Sequence, residues 1–503
     1  MKSNLKLVST SALVLIALNE IHAQYAPPPP TQPFAGFVND WLRKKDPYYS
    51  VWDVGGVVRL RYELKEDGLG LPPANDFRDN TTPTTQNDND YFSDKVLLRV
   101  SYSDKWWNAY VEGRSSSTVG DDRSPTGAGP VPSADGGDSG PETDDPVDLH
   151  QAYVTVGNHK EFPVSLKVGR QELSYGDERL VGAFAWNNIG RVFDAVKLRW
   201  QNPWFAAEAF TSKLVLPDDN NFNTWNDYNV FSGLHITTKK IPRNTSEFYF
   251  FSRNDCLGSA TANPGAVLPF QVPTPAARDI YTFGARFKSN PGDLGNFDYT
   301  VESAYQLGTW KATATSERLD HEAYAFVANV GYSFPEVFGT PRVALEYAYG
   351  SGDSDPDDDK HETFDNLYPT NHKFYGYMDF LSWQNLQDLR GIFTIKPTPR
   401  LSLALEGHAF WVADTADNLY NAGGVPRGAG PTTGTGYGRN PGYGCYVGSE
   451  LDVIAGYALT KFASLEAGYG HFFVGEYIKE TWSAPGFGSQ DADWFYIQTV
   501  VRF

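Results

Sequence analysis

Residues 400–411 read Arg-Leu-Ser-Leu-Ala-Leu-Glu-Gly-His-Ala-Phe-Trp. Leu401, Leu403, Leu405, Gly407, Ala409 and Trp411 share one parity; Arg400, Ser402, Glu406 and His408 share the other. Successive side chains of a pleated strand point to opposite faces, so this stretch is a strand with one apolar and one polar side. Lys95–Tyr102 repeats the pattern, with Val96, Leu98, Val100 and Tyr102 set against Lys95, Leu97, Arg99 and Ser101. From residue 51 onward, about 18 such stretches of roughly 10 residues recur between turn residues. They lie near 51–63, 91–104, 106–115, 148–158, 163–172, 191–201, 203–213, 228–238, 244–254, 279–289, 296–308, 320–334, 341–351, 383–396, 399–412, 446–460, 462–475 and 492–503.

The connections alternate in length. Asp104–Lys105, Gln201–Pro203, Pro397–Pro399 and Thr460–Lys461 are short, whereas 64–90, 115–147, 255–278, 352–382 and 413–445 are long. A membrane barrel with both chain ends in the periplasm demands this order, with short turns inside and long loops outside. A soluble sandwich has no reason to sort its loops by parity. The expected fold is all-β, a transmembrane antiparallel β-barrel of about 18 strands in the outer membrane of a Gram-negative bacterium. The last strand agrees: Phe495, Ile497, Thr499, Val501 and Phe503 alternate to an aromatic end. Such a terminus resembles the signal read by the outer-membrane barrel assembly machinery, an expected partner beside outer-membrane lipid.

The rest of the chain fits this reading. Residues 1–23 carry Lys2 and Lys6, a short apolar run Leu7–Leu18 and a small residue, Ala23, at the cleavage position of a secretory signal. A run of about 12 residues is too short for a helical span, which needs roughly 20. Residues 24–50 form a lead-in: 24–33 are proline-rich, extended and periplasmic, and 34–50 suit a small helix or a disordered segment. The barrel domain is 51–503. The 15% aromatic content, 47 Gly, 29 Tyr and 13 Trp suit strands with interfacial aromatic girdles. The net charge of −19 gathers in loops such as Asp353–Asp359 and reads as solvated surface; no nucleic-acid partner is expected. Cys256 and Cys445 are too few for a disulfide framework; one bridge and two free thiols fit equally well.

Alternation also assigns the inward positions. Arg59, Arg61, Arg99, Arg114, Lys167, Lys197 and Arg199 point inward from the first strands, and Arg286 and Lys288 from a later one. Asp53, Glu112, Glu302, Glu406, Glu450, Asp452 and Glu466 point inward too, and the later strands are the more acidic. A basic arc in a narrow, wet pore concentrates anions; the same arginines paired with lumenal acids would merely brace the wall.

The most distinctive segment is 167–199, KVGRQELSYGDERLVGAFAWNNIGRVFDAVKLR. Gly169-Arg170-Gln171, Tyr175-Gly176-Asp177, Glu178-Arg179-Leu180, Trp186, Asn188, Gly190-Arg191 and Phe193-Asp194, with Gln151-Ala152-Tyr153 upstream, resemble the alginate-export family of outer-membrane porins. The resemblance spans residue 51 to the end, by motif here and by strand pattern elsewhere. It implies an 18-stranded monomeric channel passing an anionic polysaccharide such as alginate through a positive constriction. It also implies Arg170 and Arg191 as pore-lining residues, and places Asp177, Glu178 and Arg179 in a loop that folds inward or pairs within itself. Guanidinium binds carboxylate bidentately, which suits such a task.

Other motifs fail on inspection. Gly137-Asp138-Ser139-Gly140 sits in a Gly/Ser/Asp/Pro-rich loop without a histidine context for a serine nucleophile. Asp353, Asp355 and Asp357 alternate like calcium ligands, but Asp358 and Phe364 replace the turn glycine and closing glutamate, so no metal site is assigned. Gly434–Gly444 does not lead from a strand into a helix, so it cradles no phosphate. There is no H-E-x-x-H or CxxC, and no cofactor is expected. Channel, barrel lipase and loop-borne surface adhesin or receptor remain as functions. The channel for anionic solutes is preferred, with the adhesin or receptor as its alternative; the enzyme is disfavoured because no outward Ser–His pair stands on adjacent strands.

Overall fold

A β-strand in lipid must satisfy its backbone groups on neighbouring strands, and only closure leaves no open edge. A computed structural model shows this closure. It describes residues 34, 36–68, 77, 88–121, 145–158, 161–217, 221–226, 228–256, 277–311, 316–424, 426, 442, 444–481 and 490–503. The signal at 1–23, the leader at 24–33, Gly137–Gly140 and most of Gly434–Gly444 lie outside the described residues.

The strands are β1 (Trp52–Glu66), β2 (Asn89–Ser103), β3 (Trp107–Val119), β4 (Asp145–Val156), β5 (Val164–Gln171), β6 (Phe193–Gln201), β7 (Phe205–Leu216), β8 (Thr224–Trp225), β9 (Asn229–Thr238) and β10 (Asn244–Asp255). They continue with β11 (Arg278–Ser289), β12 (Phe297–Trp310), β13 (Leu319–Ser333), β14 (Arg342–Gly350), β15 (Lys360–His361), β16 (Leu386–Thr398), β17 (Leu401–Val412), β18 (Tyr446–Ala458), β19 (Ala463–Val474) and β20 (Ala492–Arg502). Two of them, β8 and β15, are two-residue pieces inside loops; the others form an 18-strand antiparallel wall. β1 pairs with β2 on one side and with β20 on the other, which closes the sheet.

The outer face is apolar. Leu98, Val100, Val111, Phe283, Leu345, Leu405 and Ile497 are exposed, while Arg99, Arg286, Glu346 and Glu406 on the other parity are buried inside. Within 34–50 the chain forms helix α1 (Phe37–Lys45) and a 3-10 turn at Pro47–Val51, so of the two expected states the helix is realised. Cys256 and Cys445 are both free and exposed.

One expectation needs correction. The interior at the loop end is not a wetted charged tube but a packed aromatic core. Loop L3 (172–192) and loop L7 (351–385) fold into the lumen, joined by helix α2 (Glu476–Thr481) of the last loop. Leu180, Val181 and Trp186 of L3 meet Tyr368, Tyr375, Phe380 and Trp383 of L7, with Tyr477 and Ile478 of α2. The wall contributes inward Phe193, Phe210, Phe231, Phe251, Phe410, Phe472 and Trp494. These lie toward the loop ends of their strands, and counting only the charged inward positions overlooked them. Burying such side chains is worth about 1.5–3 kcal/mol each, enough to seat two loops against solvent.

Candidate functional site

β5 leads directly into L3. Gly169 has φ 127°, and a Cβ there would lie 2.2 Å from the Ala152 carbonyl oxygen, so the close β4–β5 approach requires glycine. Inside, L3 and L7 are stitched by backbone bonds: Tyr368 donates to Leu180 O at 2.8 Å, Gly182 to Tyr368 O at 2.8 Å and Thr370 to Glu178 O at 3.0 Å. A side chain at Gly182 would strike Thr370 Oγ1 at 2.3 Å.

The basic wall grips L3 through its carbonyl oxygens. Arg59 donates to Trp186 O at 2.8 Å, to Ala185 O at 3.2 Å and to Asn188 Oδ1 at 3.0 Å. Arg61 donates to Trp186 O at 3.0 Å, stacks 4.0 Å over the Trp186 ring and pairs with Glu63 at 2.8 Å. Lys95 donates to Asn187 O at 2.7 Å, and Arg114 to Ile189 O at 2.8 Å while pairing with Asp145. Arg191, within L3, donates to Tyr368 O at 2.6 Å, Pro369 O at 2.8 Å and Gly182 O at 3.1 Å.

The other end of L3 reaches across the lumen. Asp177 pairs with Arg286 at 2.5 Å and Lys288 at 3.0 Å; Arg286 also binds Glu247 at 2.5 Å. Arg179 pairs with Glu346 on β14 at 2.7 Å and lies 3.8 Å over the Phe374 ring. Glu178 accepts from Thr370 Oγ1 at 2.9 Å. Of the remaining expected pore residues, Arg170 is bidentate on Asp194 at 2.9 and 3.1 Å, and Arg99 lies 3.6 Å from Asp53 under the Phe34 ring. Lys197, at 3.2 Å, and Arg199 share Glu208, while Lys167 lies 3.5 Å over the Tyr153 ring.

Burial would raise the Asp177 carboxyl, but Arg286, Lys288 and Lys373 outweigh it and hold the group below its usual range. Burial lowers Arg191 to about 10, still charged at neutral pH. In L7, burial and then the neighbouring Asp417 push Asp353 up to about 6, and burial, against the pull of Asp177, lowers Lys373 to about 8. Asp353 accepts from the Asp355 N–H at 3.2 Å, whereas Asp355 and Asp357 are exposed. Among the described residues no group of His, Cys, Asp or Glu could hold a metal ion.

Sequence reasoning passed over several cations. Arg253 and Arg278 share Asp255 and Asp365 at 2.7–3.2 Å and, with Arg191, Phe184, Asn366 and Asn371, line a cavity between L3 and L7. Arg278 stands on the same parity of β11 as Arg286, so the alternation could have found it. Lys95 shares the inward parity of Arg99, and L7's aromatic stretch Phe374–Trp383 carries a signal for a buried loop.

A closed wall with an apolar band, charged interior and inward loops defines an outer-membrane porin-type channel barrel. The profile described as Alginate export matches residues 53–485, and the chain belongs to that family. No curated protein matches it significantly. Among solved structures it is similar in fold to Acinetobacter baumannii OccAB2 (9% identity, 90% of this chain and 98% of that one, TM-score 0.54). It is likewise similar to Pseudomonas aeruginosa OccK2 (OpdF) in complex with glucuronate (10%, 90% and 98%, 0.52) and to Pseudomonas aeruginosa OccK11 (OpdR) (12%, 90% and 96%, 0.50).

Proposed function

We propose that this outer-membrane channel passes anionic solutes along its β1–β7 wall, with L3 and L7 as the constriction. The carrying observation is charge left uncancelled. Arg59, Lys95 and Arg191 bind neutral carbonyl oxygens and Lys167 an aromatic ring, with no carboxylate in ion-pair contact among the described residues. A carbonyl satisfies donors without neutralising a cation, so the wall keeps a positive field that concentrates anions in a narrow bore. On the opposite wall Glu450 accepts the Met378 N–H at 2.9 Å, and Glu406 is paired with Arg390. That a protein of similar fold carries glucuronate supports a carboxylate-bearing solute. The inward folding of L3 and L7 supports the channel over an adhesin, since these loops are spent inside the barrel.

A polymer such as alginate needs more room than the packed core leaves, so in this reading its passage requires L3 and L7 to leave their seats. Residues 1–23 serve as the cleaved signal and 24–50 as the periplasmic lead-in of a monomer. In planar bilayers the protein is expected to show discrete conductance steps preferring chloride over potassium. Replacing Lys95 and Lys167 together by Gln should move the reversal potential toward zero, and block by oligouronates but not neutral sugars should identify the solute. A cation-preferring or silent channel rejects the proposal.

A further inference from the structure

Helix α1 sits at the turn end beside the barrel seam. The Phe37 ring lies 6.1 Å from those of Phe462 and Phe503, and Lys461 Nζ is 2.6 Å from Asp40 Oδ2. Phe503 shares its parity with Phe495 and Ile497, the exposed, lipid-facing side of β20, and its ring covers the outward face of Gly56. At the turn-end rim the helix thus meets the outer edge of the wall through Phe37 and the lumen side through Asn39, whose amide donates to inward-facing Asp53. Its other side faces the barrel: buried Asn39 accepts from the Val54 N–H at 2.8 Å.

The face turned away is unlike ordinary protein surface. Phe37 and Trp41, one helical turn apart, are 49% and 57% exposed. Lys45 Nζ lies 5.8 Å over the Trp41 ring, and Lys44 is exposed beside it. Asp40 is paired with Lys461, and Asp46 keeps its charge while accepting from the Tyr48 N–H at 2.9 Å, so Arg43, Lys44, Lys45 and Lys461 outnumber the two acids here. The patch is thus aromatic and basic on a chain whose net charge is −19. At other turns of the same end Trp106, Trp107, Trp204 and Phe334 are likewise exposed. Rings at the acyl boundary with lysines reaching the headgroups is how interfacial helices meet anionic lipid.

We propose that α1 is an interfacial anchor that binds anionic phospholipid of the periplasmic leaflet, with Phe37 and Trp41 at the acyl boundary and Lys44 and Lys45 on headgroup phosphates. The test uses the full barrel with Cys256→Ser and Cys445→Ser, spin-labelled through Trp41→Cys or Lys44→Cys. It is reconstituted in phosphatidylcholine alone or in an equimolar mixture with phosphatidylglycerol. The label at 41 is expected to collide more with oxygen than with a water-soluble nickel chelate, and to shift deeper when phosphatidylglycerol is present. Lys44→Gln with Lys45→Gln, labelled at 41, should abolish that shift while the barrel stays heat-modifiable. Water-like exposure of both labels in both lipids, as for a face reserved for a soluble protein, overturns the proposal. So does equal depth in the two lipids.

Discussion

L3 and L7 fill the same lumen but are held there by different physics. L3 lies on a bed of cations, with the carbonyl oxygens of Ala185, Trp186, Asn187 and Ile189 accepting from Arg59, Arg61, Lys95 and Arg114. L7 adds a much larger packed part to its polar ties: Phe364, Tyr368, Tyr375 and Trp383 are fully buried, with the Phe364–Trp383 and Tyr375–Trp383 rings 5.5 and 6.1 Å apart, beside the Asp365 pairs with Arg253 and Arg278. A directional grip can be released one donor at a time, whereas a packed core resists until enough contacts go together. The two loops are thus unequal halves of one constriction. An arginine that faces a pore is first of all a hydrogen-bond donor that the protein's own backbone can use.

Substitutions can break or sharpen that contrast. The largest effect is expected from Trp383→Ala, which empties a fully buried ring site and should cost the L7 seat about 3–5 kcal/mol. Hydrogen exchange across L7 should accelerate and single-channel conductance should rise. Unchanged exchange would mean packing does not hold the loop. Next comes Arg59→Ala, which leaves the Trp186 and Ala185 carbonyls without this donor and should cost about 1–3 kcal/mol. Here exchange should rise in L3 rather than L7, with weaker anion preference. Equal loosening of both loops would show that they move as one body.

A smaller effect follows from pH, with opposite signs for two groups of L7. Asp353 titrates at about 6 in the seated loop against 3.8 normally, so seating loses strength as pH rises through that interval. Lys373 titrates at about 8 against 10.5, so the seated loop sheds that proton first and seating gains strength from about 8 upward. L7 should be loosest between about pH 6 and 8, and open-channel frequency should peak there. A monotonic profile would remove these groups from gating. The smallest change belongs to Arg170→Ala: its charge is already paired with Asp194, so the reversal potential should barely move while local stability falls. A large shift in selectivity would restore it to the pore.

The barrel was legible because its rule is local. Alternation such as that of Lys95–Tyr102 states which side of a strand meets lipid, and loop parity orders the strands. Every expected strand stretch overlaps an observed one, as 399–412 does β17. The inward parity of Arg59, Arg114 and Arg286 was legible for the same reason. Their partners were not. Arg59 meets Trp186, and Arg179 meets Glu346, because the wall curves L3 against both sides of the lumen. No periodicity records which strands face each other across a bore.

The sequence alone therefore determined a closed apolar-out wall, its strand order and which charged side chains share the inward parity. Those follow from the two-residue period of the pleat and the need to pair every backbone group in lipid. Only the tertiary structure decided that the loop end is packed rather than wet. Loop seating depends on contacts between residues far apart in the chain, whose distance is set by closure and not by spacing. The same closure turned much of an expected anion-lining arc into clamps: Arg61, Arg114 and Arg170 are paired with Glu63, Asp145 and Asp194, and Arg59 and Lys95 hold carbonyls of L3.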